Sequence, residues 1–119
     1  MENKKRYKVL EYYLKNKFKI RDMLKNSTSS YDTFLFKVEN QNQRNKIINY
    51  LHSNGIGTKN IPDAIKWHFV SYWQHAVSKK EINSIKKSKI KIEKFIAIPI
   101  LIKKKLSEYK KISKKILTI

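Results

Sequence analysis

The stretch TFLFKVENQNQRNKIINYLHSNG, residues 33–55, contains a whole strand-to-helix unit, and its reading decides the fold class. Its first part alternates: Phe34, Phe36 and Val38 fall on one side and Thr33, Leu35 and Lys37 on the other, the period of a strand with one buried face. Asn40 or Asn42 then offers a side-chain oxygen to the free N–H groups of a helix start. The helix itself, QRNKIINYLHSN, carries Ile47, Ile48 and Leu51 as a narrow apolar stripe, and Gly55 stops it as a C-terminal glycine does.

Working outward, KKRYKVLEYYLKN at 4–16 puts Tyr7, Leu10 and Leu14 on one helical face, with Val9 and Tyr13 adjoining. This helix begins almost at Met1 without a capping prelude, which leads us to expect a chain once longer at its N-terminus. KNSTSSYD at 25–32 reads as a polar loop. On the other side, Ser78 and Glu81 form a capping box ahead of Ile82 and Ile85. FIAIPI reads as a second core strand with Pro99 at its exit, and Ser107-Glu108 starts a final helix carrying Tyr109, Ile112 and Ile116. The expected architecture is α+β: one domain over 1–119, with a small sheet of about three strands packed by three to four helices.

Composition bounds the rest. A hydrophobic fraction of 40% with 12% aromatics is enough to build a core, despite 31% charged residues. The chain has no cysteine, which excludes disulfides, thiolate metal sites and a cysteine nucleophile. No segment approaches the roughly 18 apolar residues of a membrane span, so a soluble, cytoplasmic protein without membrane association is expected. The net charge of +19 implies non-specific binding of polyanions. Lys, Ile and Asn are all products of A/T-rich codons, however, and arginine, the better residue for bidentate phosphate contacts, occurs only at positions 6, 21 and 44.

The unusual residues concentrate in GIGTKNIPDAIKWHFVSYWQH, 55–75, which holds both glycines, both tryptophans and two of the three histidines. Gly57, Thr58, Asn60 and Pro62 look like a shaped polar loop; Asp63 to His75, if helical, would set His68, Tyr72 and His75 on one face. Three uses compete for it: an aromatic core plug, a metal site, and a wall for a small molecule. Two histidines seven apart without a nearby carboxylate pair or cysteine do not make a ligand set. The wall accounts best for the concentration, with aromatic faces covering a sugar ring or other planar group. No catalytic constellation can be assembled from the chain: it has no Walker-type loop, G-x-S-x-G or paired-carboxylate motif.

Within this stretch, GIGTKNIPDAIKWHF resembles the C-terminal domain of the DegT/DnrJ/StrS family of pyridoxal-phosphate (PLP) dependent sugar aminotransferases. Its GIGTKN-x-P-x-A-x-x-WH pattern is nearest the subgroup of perosamine-type enzymes and the 8-amino-3,8-dideoxy-manno-octulosonate transaminase. The likeness covers nearly the whole chain: the opening helix resembles the family's connecting helix, YDTFLFKV to SNGIGT its β-α unit, and FIAIPILIKKKLSEYKKI its closing strand and helix. It implies the small domain of a fold-type-I PLP aminotransferase that moves an amino group, from glutamate, to an oxo-sugar or sugar acid in cell-surface polysaccharide or lipopolysaccharide precursor synthesis.

The family's Schiff-base lysine belongs to its large domain, which 1–119 lacks, so no PLP and no catalysis are expected of this chain alone. A separately encoded large domain and a homodimer are the partners so implied. Family members usually carry a histidine and an aromatic soon after Gly-Ile-x-Thr, whereas Asn60-Ile61 stands here and Trp67-His68 follows later. The resemblance therefore assigns Thr58, Lys59 and Asn60 to polar or anionic substrate groups, Lys59 suiting a sugar-acid carboxylate, and Trp67, His68 and Trp73 to the wall. The alternative is a small basic nucleic-acid-binding or interaction protein whose aromatics stack on bases.

Overall fold

The computed structural model describes residues 2–57 and 69–119. In chain order these form α1 (Glu2–Leu14), β1 (Lys19–Ile20), β2 (Thr33–Lys37), α2 (Gln41–Ser53), a 3-10 turn (Val70–Tyr72), α3 (Lys79–Ser84), α4 (Lys86–Ile92), β3 (Phe95–Pro99) and α5 (Leu106–Leu117). The strands make one antiparallel sheet in the order β1-β2-β3. This is the α+β class expected, with a three-stranded sheet. Five α-helices lie among the described residues, because the run after Ser78 is two short helices. Ser84 Oγ donates to the Glu81 carbonyl at 2.6 Å where the first of them ends, and the chain restarts at Ile85.

The register pairs Phe34 with Ile98 and Phe36 with Ile96, so the alternation in both strands delivers four large side chains to one face. All four are fully buried, and they share a core with Tyr7, Leu10 and Leu14 of α1, Ile47 and Leu51 of α2, and Tyr109, Ile112 and Ile116 of α5. Helix α1 packs chiefly against α5, so the two ends of the chain close over the sheet together. Strand β1 had no clear signal in FKIRDML; its two residues pair with Lys37 and Phe36 while Phe18 packs edge-on against Phe36. No helix among the described residues is long and apolar enough to cross a membrane.

Helix α2 is bounded as its sequence requires. Asn40 Oδ1 accepts the Gln43 N–H at 2.9 Å, so Asn40 rather than Asn42 is the cap. At the other end Gly55 takes φ +65°, its N–H bonds the His52 carbonyl at 3.0 Å, and the Ile56 N–H bonds that of Leu51 at 2.9 Å. That pair of bonds is a Schellman closure, and it carries Ile56 into the core beside Leu51. Lys104 Nζ adds a third donor, bonding the Asn54 carbonyl at 2.8 Å near the negative end of the helix.

Strand β3 is stopped and turned by Tyr109. Its fully buried hydroxyl donates to the Pro99 carbonyl at 3.0 Å and accepts the Leu101 N–H at 2.7 Å. Arg6 holds the turn that follows, with Nε on the Lys104 carbonyl at 2.7 Å and Nη2 on that of Ile102 at 3.0 Å. Replacing Tyr109 by Phe leaves the buried Pro99 carbonyl and the part-buried Leu101 N–H without this partner, so Tyr109→Phe is expected to cost about 1–3 kcal/mol in urea unfolding. A loss under about 0.5 kcal/mol would show that the bridge is not what fixes the turn.

Candidate functional site

The residues on either side of the 58–68 stretch are held firmly. On the N-terminal side, Ile56 is buried by the Schellman closure. On the C-terminal side the backbone makes a 3-10 turn in which the Tyr72 N–H bonds the Phe69 carbonyl at 3.0 Å and the Trp73 N–H bonds that of Val70 at 2.9 Å. The Trp73 carbonyl then accepts from Ala76 and Val77, both at 2.9 Å. Ser71 is 2% exposed and its Oγ is buried without a hydrogen-bond partner. A buried hydroxyl left this way costs about 1–3 kcal/mol, so the tertiary surroundings and not local preference hold the turn.

Beside this turn lies a cluster that sequence reasoning did not assemble. The Tyr72 hydroxyl bonds the Glu93 carboxylate, which follows the end of α4. Lys89, one turn earlier on α4, sets its ammonium 4.5 Å from the centre of the Tyr72 ring and 3.9 Å from Glu93. Arg44, 6% exposed on α2, reaches the Phe95 carbonyl at 3.4 Å and its charge also acts on Tyr72. Chemically the group is a phenol held neutral between a carboxylate and two cations, a hydrogen-bonding wall and not a nucleophile. The i,i+4 spacing of Lys89 and Glu93 is legible in the sequence, but nothing there ties either to Tyr72.

Of the residues assigned to substrate, Thr58, Lys59, Asn60, Trp67 and His68 lie outside the described residues. Trp73 is half-buried at the end of the 3-10 turn, beside the Tyr72–Glu93 pair in sequence. A helix continuing to His75 is corrected: from 69 onward the chain is a 3-10 turn followed by a hydrogen-bonded turn, and His75 is exposed. Tyr72 and His75 therefore share no helical face, because Tyr72 is drawn toward Glu93. Among the described residues no three His, Asp or Glu side chains gather as a metal site would require. A groove of about 530 Å³ between α1 and α5 is lined by Val9, Tyr12, Tyr13 and Leu106 with lysines at its rim.

Tyr72 supplies a pH signature. Burial first, and the Glu93 carboxylate second, push its phenol up from 10.0 to about 12, while the Arg44 guanidinium pulls the other way. The folded chain thus keeps a proton that the unfolded chain releases at lower pH. The stability contributed is present below pH 10.0 and is lost as pH rises to about 12. We expect the urea midpoint to fall across that window and to fall less in Tyr72→Phe; an unchanged slope in that variant would refute the assignment. Tyr7 and Tyr109, both raised by burial, leave a residual slope.

Comparison with family models and with curated proteins finds no match for this chain.

Proposed function

We propose that this chain is the small, substrate-facing domain of a PLP-dependent sugar aminotransferase of the DegT/DnrJ/StrS type, and that residues 58–73 form part of the pocket for an oxo-sugar or sugar acid. One observation carries the reading. The three parts of the chain that resemble the family, the opening helix, the β-α unit ending at Gly55 and the closing strand and helix, share a single core. Both flanks of GIGTKNIPDAIKWHF are anchored to that core or to the elements on it, at Ile56 and at Ser71–Tyr72. A stretch whose flanks are fixed in this way is suited to carrying ligand-binding side chains, here Thr58, Lys59, Asn60, Trp67 and His68 together with Trp73.

Lys104 Nζ is spent on the Asn54 carbonyl at 2.8 Å and the Glu108 carboxylate at 3.4 Å, which makes it a helix cap. Lys89 is held over the Tyr72 ring. On this reading the electron-sink chemistry and the amino group from glutamate belong to the family's large domain. The part of this chain is to bind and orient: Lys59 to pair with a sugar-acid carboxylate, Thr58 and Asn60 to bond hydroxyls, and the aromatics to cover the ring and exclude water.

Two titrations of the purified chain test this. Addition of PLP is expected to give no stoichiometric aldimine absorbance, while an oxo-sugar acid is expected to shift the indole N–H resonances of Trp67 and Trp73. Lys59→Gln should weaken that response roughly tenfold through the lost charge-assisted bond. A stoichiometric aldimine band abolished by one lysine substitution, or indole resonances indifferent to sugar acids, would sink the reading.

A further inference from the structure

We propose that the sheet's outer face, opposite the core, binds a nucleoside phosphate unit, with the phosphate held by Lys19, Lys37, Lys91 and Arg21 and the base laid against Phe95. The inference does not rest on the aminotransferase reading. It begins with register: Lys19 stands directly opposite Lys37 across β1 and β2, and Lys37 directly opposite Phe95 across β2 and β3. These three therefore form one row on the outer face, because Phe36 and Ile96, one residue along, belong to the core. Like charges directly opposite each other on a sheet are destabilising, and this pair is not relieved by a carboxylate. Among the described residues, none of Lys19, Lys37, Lys91 and Arg21 forms an ion pair.

The four cations surround a cavity of about 320 Å³ whose apolar surface comes from Leu35 and Phe95, with Asp22 as the one carboxylate among its described lining residues. That volume is at the lower end of ligand pockets, roughly 300–1,000 Å³, and suits one nucleotide rather than a large cofactor. The contrast with the rest of the molecule is informative. Glu2, Glu11, Glu93 and Glu108 are each paired with a lysine three or four residues away, so Lys5, Lys8, Lys89 and Lys104 are locally compensated. Arg6 and Arg44 are buried and bonded to backbone carbonyls, which leaves Arg21 as the exposed arginine, and it lies at this cavity. A planar guanidinium, three ammonium groups and a half-buried aromatic ring around one cavity is the set by which proteins hold a phosphate and stack a base.

The test must separate this face from bulk charge. Binding of AMP, a fluorescent oligothymidylate and inorganic pyrophosphate to the whole chain would be measured near physiological salt. Lys37→Gln and Lys91→Gln would be compared with Lys114→Gln, which removes the same charge from the exposed side of α5. We expect each of the first two to weaken nucleotide or oligonucleotide binding roughly tenfold and the control less than twofold. AMP binding as tightly as the oligomer would identify a free nucleotide as the ligand, and a requirement for the oligomer a single strand. Phe95→Leu, checked for folding by circular dichroism, should weaken the base-bearing ligands and leave pyrophosphate unaffected. Equal losses in all three lysine variants, or pyrophosphate binding as tightly as both base-bearing ligands, would overturn the proposal.

Discussion

The turn from β3 into α5 rests on the hydroxyl of Tyr109, which bonds the Pro99 carbonyl and the Leu101 N–H from inside the core. Proline has no N–H to give and sits where the strand must end, so the chain leaves the sheet with a buried Pro99 carbonyl and a part-buried Leu101 N–H to satisfy. One phenol supplies both the donor and the acceptor. Because Tyr109 is itself on α5, the same bonds fix how that helix lies on the sheet and hence where α1 can pack. The 102–104 turn then presents two carbonyls to Arg6 on α1 and lets Lys104 reach the end of α2. Three helices are thus referred to one point at the edge of the core.

That arrangement shows how a chain of charge +19 remains compact. Two of its three arginines are turned inward and donate to backbone carbonyls, Arg6 to those of Ile102 and Lys104 and Arg44 to that of Phe95. The ion pairs with carboxylates are short-range, on helical spacings and largely exposed, and each adds little to stability. Stability therefore comes from the apolar core, and charge is left as a property of the surface. The surface charge is uneven in its consequences: most lysines sit in open solvent, whereas four cations meet around an apolar cavity on the outer sheet face.

The two flanks of residues 58–68 and the outer sheet face depend on the same frame through different elements. Ile56 is fixed by the end of α2 and the 3-10 turn by Glu93 at the end of α4. Glu93 lies only two residues before Phe95, so the segment that fixes the 3-10 turn also leads into the strand that carries the aromatic of the outer face.

What the sequence by itself determined was everything local in cause. The alternation in TFLFKV, the Asn40 cap, the Gly55 stop, the Ser78 capping box and the stripe of Tyr109, Ile112 and Ile116 are each set by residues within a turn or a strand of one another, and each is found in place. What only the tertiary structure decided was long-range. Strand β1 is too short to carry a period and exists because β2 offers it an edge. Arg6 and Arg44 look like surface charge in the sequence and are spent on carbonyls 98 and 51 residues away. Tyr72, legible as one aromatic among many, has its phenol pushed up first by burial and then by a glutamate 21 residues on. The reason is physical: spacing along a chain encodes which face a side chain occupies, but the partner it meets there is chosen by packing between elements, and that information is in no single window of sequence.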